Sequence, residues 1–85
     1  LIKGGGFIML SVIKNTDELE FAVFCIENVA SYLHISGNAA YKMLAEDTDI
    51  LSSYIVPCYD VLHTQGKDYI TEDILSVMRR KGLDV

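Results

Sequence analysis

From Asn15 onward the apolar residues return every third or fourth position, as Leu19, Ala22, Val23, Ile26, Val29, Ala30 and Leu33. That spacing lays one stripe along a helix. Asn15 or Thr16 can accept a hydrogen bond from a free backbone N–H at its start. Asp17, Glu18 and Glu20 place negative charge at the positive end of the helix dipole. A first helix over about residues 16–34 is predicted, with Phe21, Phe24 and Cys25 widening its apolar stripe so that it sits centrally in the core.

Ser36, Gly37 and Asn38 form a turn and helix cap, and Ala40, Tyr41, Leu44 and Ala45 share one side of a second helix over about 38–46. The polar break that follows offers Asp47, Thr48 and Asp49 as caps for a third segment starting at Ile50. Pro57 lacks an N–H and disfavours helical backbone at Val56, so the third segment kinks there or restarts with the proline in its first turn. It continues through Thr64 and stops at Gly66, which suits a left-handed closing residue. Lys67 to Ile70 read as an extended link. Thr71 caps a last helix with Glu72 and Asp73 in its first turn, Arg79, Arg80 and Lys81 in its last, Gly82 beyond, and Ile74, Leu75, Val77 and Met78 on its buried side. No segment alternates with period two. The fold expected is all-α, a compact single-domain bundle of four to five short helices.

With 85 residues there is room for one domain, near the lower limit for folding without disulfides or metal. At 51% hydrophobic residues the chain is apolar for its size, so some apolar surface stays exposed unless a partner or a second copy covers it. A homodimer is one expected outcome. The first eight residues, LIKGGGFI, read as a non-native leader: Lys-Gly-Gly-Gly can be encoded by a stretch containing a bacterial ribosome-binding sequence, placed just before Met9. The domain is then 9–85, and losing Lys3 takes the formal charge from −5 to −6. The three glycines do not make a phosphate loop, because no Lys-Ser or Lys-Thr follows them.

An acidic balance argues against nucleic acid as a partner, since phosphate binding needs clustered positive charge. A helix-turn-helix reading of the first two helices meets the same objection: the second offers only Lys42 as a cation and runs into Glu46, Asp47 and Asp49. Cys25 and Cys58, set among aliphatic and aromatic neighbours, fit two buried free thiols in a reducing cytoplasm. No closely spaced Cys or His pair suggests a metal, nothing calls for a cofactor, and no run approaches the roughly 18 apolar residues of a membrane span.

The densest chemistry lies in YDVLHTQG, residues 59–66. On a helix Tyr59 and His63 are one turn apart and Asp60 neighbours His63, so Asp60 could orient the imidazole and raise its pKa as an acid-base pair. The plainer reading has Tyr59, Leu62 and Val56 packing inward while Asp60, His63 and Thr64 satisfy backbone groups around Gly66. It is preferred, with no catalytic residue assigned. Tyr54, Tyr59, His63, Gln65 and Tyr69 are the expected contacts for a partner protein, because tyrosine presents large, stiff, amphipathic area.

The segments ELEFAVFCIENVA, SGNAAYKML, DILSSYIVPCYDVLHTQG and YITEDILSVM resemble a family of short bacterial proteins known as domain-of-unknown-function family 3791. The resemblance covers most of Glu18 to Gly82; Tyr59, Leu62, His63, Thr64 and Gly66 carry its most specific part, followed by Asp73 and Ile74. It brings no established activity. It implies a partner, since such families are encoded beside other small genes, among them one that looks like ADP-ribosyltransferases, which points to an antitoxin-like or accessory role. The expectation is a small cytoplasmic, non-enzymatic interaction module. A helix-turn-helix-like regulator and an enzyme using Asp60 and His63 are the alternatives.

Overall fold

The computed structural model describes residues 13–85; the leader expected over residues 1–8 lies outside them. Among the described residues there are helices and turns and no strand, as the all-α expectation requires. Helix α1, Thr16–Leu33, starts where the polar pattern places it: Asn15 is extended, and its Oδ1 accepts the Glu18 N–H at 2.9 Å. The Glu18 carboxylate in turn accepts the Lys14 N–H at 2.9 Å, so the entry to the helix is fastened from both sides. α1 closes at His34, which adopts the left-handed conformation (φ 59°, ψ 44°), and the Ile35 N–H returns to the Ala30 carbonyl at 3.0 Å.

Helix α2, Gly37–Lys42, is capped by Ser36, whose Oγ accepts the Ala39 N–H at 3.0 Å, and widens into a π-helical turn, Met43–Asp47. Of the three candidate caps, Thr48 is the one that serves. Its hydroxyl donates to the Met43 carbonyl at 2.8 Å and accepts the Ile50 N–H at 3.3 Å, closing one element and opening the next. A second π turn, Leu51–Ile55, follows, with the Val56 N–H bonded to the Leu51 carbonyl five residues back at 3.1 Å.

Here the structure corrects the expectation for Pro57. Val56 keeps helical backbone (φ −69°, ψ −47°) despite preceding the proline. The wider turn is the reason: a five-residue ring ahead of the proline displaces the following turn and accommodates a residue that has no N–H to give. The chain then turns through residues 56–58 and restarts as α3, Tyr59–Leu62, so of the kink and the restart it is the restart that occurs, two residues after the proline rather than on it.

The last helix is longer than expected. α4 spans Lys67–Arg80, so Lys67 to Ile70 are helical rather than an extended link. Gly66 is the N-cap, extended at φ −76° and ψ 163°, and not a left-handed closing residue. Thr71 is not a cap: it is buried inside the second turn, its hydroxyl donating to the Lys67 carbonyl at 2.9 Å. The physical cause is Ile70, 2% exposed and spaced with Ile74 and Val77 on the buried face, so that burying it extends the helix backwards by a turn. The far end behaves as expected, with Gly82 at φ 97° and the Leu83 N–H returning to the Met78 carbonyl at 3.0 Å.

The core gathers Val29 and Cys25 of α1 with Leu44, Ile50, Leu51, Ile55, Ile70, Ile74, Leu75 and Met78, all fully buried. Each such aliphatic side chain contributes roughly 1.5–3 kcal/mol by leaving water. α1 packs against α2 and α4 through Phe21, Ala22, Cys25, Ile26, Val29 and Ala30. Its buried face is rotated from the expected stripe, leaving Leu19, Val23 and Phe24 exposed. Lys81, at the end of α4, pairs with Asp49 at 3.0 Å and ties that end to the turn before the second π segment. No helix among the described residues is long and apolar enough to cross a membrane.

Candidate functional site

An open hollow of about 310 Å³ lies where the first half of α1 meets α3 and the start of α4. Asp17, Glu20, Phe21 and Phe24 come to it from α1, and Tyr59 from α3. His63 and Gln65 arrive from the turn after α3, and Ile70 from α4. The α1 residues recur at three- and four-residue spacing, so one helical face supplies them all. Phe24 faces outward, 38% exposed, although it is among the largest apolar side chains of the helix.

Aromatic rings define the shape. Phe21 and Tyr59 meet edge to face, centroids 5.4 Å apart and planes at 76°. Phe24 lies nearly parallel to Phe21 (6.3 Å, 22°), and His63 lies nearly parallel to Tyr59 (4.4 Å, 9°). The result is a corner of two aromatic walls. Burial raises the Tyr59 phenol pKa above its ordinary value, and the carboxylates of Asp17, Asp60, Glu18 and Glu20 raise it further, so the corner lies in a negative field.

His63 is exposed, and its Nδ1 lies 2.7 Å from the Tyr59 carbonyl. A carbonyl oxygen only accepts, so Nδ1 carries the hydrogen and Nε2 is left for other work. Tyr59 and His63 are brought together as one turn of helix predicts, but Asp60 is not part of the cluster. Among the described residues no hydrogen bond or ion pair joins Asp60 to His63, so a backbone carbonyl rather than a carboxylate orients the imidazole. Thr64 donates from Oγ1 to the Val61 carbonyl at 2.8 Å, and Gln65 Nε2 approaches that same hydroxyl at 3.4 Å. Val56 and Leu62 are buried and Tyr59 is half-buried, as the structural reading of this stretch expected.

Two of the expected contact tyrosines lie elsewhere. Tyr54 is half-buried and donates its hydroxyl to Asp73 Oδ2, which with burial pushes its pKa up to about 12. Tyr69 is 57% exposed on the first turn of α4 and does not line the hollow. Conversely, Asp17, Glu20, Phe21, Phe24 and Ile70 line it without having been singled out. In the sequence Asp17 and Glu20 have a sufficient role as dipole charges and Phe24 reads as part of the core stripe; its position on the far side of the helix from Val29 is the signal that separates it.

A second, more polar hollow of about 350 Å³ continues along α1 at Asn28, Ser31 and Tyr32, facing Lys67, Asp68 and Glu72 of α4. Cys25 is buried, and that burial pushes its thiol up to about 12, while Cys58 is half-buried; both are free. Lys42 is held by Asp47 at 2.8 Å, so the one cation of the supposed recognition helix is already engaged. Among the described residues no group of three or more His, Cys, Asp or Glu side chains gathers as a metal site would require.

A family model described as "Protein of unknown function (DUF3791)" matches residues 20–81. No curated protein and no solved structure matches the chain.

Proposed function

Since the chain belongs to the family of proteins of unknown function DUF3791, we propose that it is a non-enzymatic interaction module that docks a partner protein in the aromatic hollow between α1 and α3. One observation carries this reading: Phe24 stands 38% exposed beside the stacked Tyr59 and His63, in a hollow that Asp17 and Glu20 also line. Exposed aromatic area in a concave, charged setting is what protein contacts use, because a stiff ring gives up little entropy when it is covered. The partner complements negative charge with positive. It is the product of a neighbouring gene, toward which the chain plays an antitoxin-like or accessory role, and the free thiols at Cys25 and Cys58 favour the reducing cytoplasm as the place of action.

Co-purification from cells expressing the native gene neighbourhood tests the reading, with the wild-type chain and Phe24→Asp as parallel baits. A neighbouring gene product retained in near-equal amount by the wild-type chain and lost from Phe24→Asp is expected. Equal retention by both, or a monomer that recovers nothing, contradicts it.

A further inference from the structure

We infer that the aromatic corner receives an arginine side chain of the partner, an assignment that deepens the interaction reading and rests on it. Phe21 with Phe24 and Tyr59 with His63 form two walls whose inner rings stand at 76°, and Asp17 and Glu20 line the same hollow. A flat aromatic face attracts a cation, and a guanidinium is planar, permanently charged and weakly hydrated, so it can lie against a ring while its N–H fork meets a carboxylate. A lysine ammonium is a compact, strongly hydrated charge that gains less from a flat wall. Apart from His63, no basic side chain among the described residues lines the hollow, so the two carboxylates face it without a lysine or arginine from those residues. At about 310 Å³ the space is at the small end of ligand sites, which suits one side chain at the tip of a partner segment better than a cofactor.

The assignment is tested by titrating the full-length, isotope-labelled chain with N-acetylarginine amide and following backbone amide signals. Saturating shifts at Glu20, Phe24, Tyr59 and His63 are expected. N-acetyllysine amide should bind several-fold more weakly, and the uncharged citrulline analogue should not saturate. Neutralising the acids with Asp17→Asn and Glu20→Gln should weaken arginine binding about fivefold, the scale of two exposed charge contacts. Phe24→Leu, which leaves the helix charges untouched, should weaken it as well.

Equal response to arginine and citrulline analogues, or shifts confined to other acids such as Asp49 and Asp84, would overturn the assignment. So would self-association that Arg80→Gln removes, because a second copy would then occupy the corner. If the corner ignores the arginine analogue while Phe24→Asp still loses the partner, the arginine assignment fails and the docking role stands. If the analogue binds but capture is indifferent to Phe24, the interaction reading fails and takes the partner's arginine with it.

Discussion

Tyr54 and Cys25 hold their protons more tightly in the folded chain than an unfolded chain would. The Tyr54 hydroxyl donates to Asp73, and that bond together with burial raises its pKa from 10.0 to about 12; burial alone raises Cys25 from 9.0 to about 12. Between the unfolded and folded values the native state binds more protons, so stability falls as pH rises. The contribution is complete below pH 9 and is lost progressively between about pH 9 and 12. Thermal midpoints measured across that range should therefore decline. Tyr54→Phe should flatten the decline above pH 10 and cost about 1 kcal/mol at neutral pH, the usual net worth of a hydrogen bond; an unchanged alkaline slope would separate Tyr54 from this role. At this scale the sequence was readable where one rule had one outcome, as with Tyr59 and His63 meeting a turn apart. Asp17 and Glu20 were harder, because a helix start explains their charge before any site does.

At the scale of elements, caps and periodicity placed α1 and the end of α4 well. They failed where tertiary burial overruled a local signal. Thr71 looks like a cap and has Glu72 and Asp73 behind it, yet the core draws in Ile70 and winds the helix back to Lys67. Gly66 looks like a left-handed stop, yet the positive-φ residues are Gly82, as glycine chemistry suggests, and His34, which a glycine-based reading passes over. The π turn before Pro57 has no sequence signature beyond the proline itself.

These facts yield a test with opposite signs for the two readings of Gly66. Its backbone is extended, no atom lies within 4 Å of a Cβ built there, and α4 lacks a side-chain cap. Gly66→Ser should stabilise the protein by a few tenths up to about 1 kcal/mol in chemical denaturation, by supplying the cap and restricting the unfolded chain. A loss of similar size would mean that the residue is left-handed after all.

Over the whole molecule, a short and apolar chain leaves large hydrophobic side chains outside its core: Leu19, Val23, Phe24, Tyr32, Val61 and Tyr69 are all more than a third exposed. The composition announced that surplus, but only the rotation of α1 decides which residues bear it. Four of the seven basic residues are engaged elsewhere: Lys42 and Lys81 are paired with Asp47 and Asp49, and Arg79 and Arg80 bond the Val85 carbonyl and Ser76. The proposed role thus depends on Phe24, the exposed ring of the corner, being kept for contact rather than for folding. The most direct measurement is the unfolding free energy of Phe24→Ser by urea titration, alongside the wild-type chain. A loss below about 1 kcal/mol is predicted, as for a surface position. A loss of about 3 kcal/mol or more, the scale of a core phenylalanine, would make Phe24 a packing residue and contradict the account.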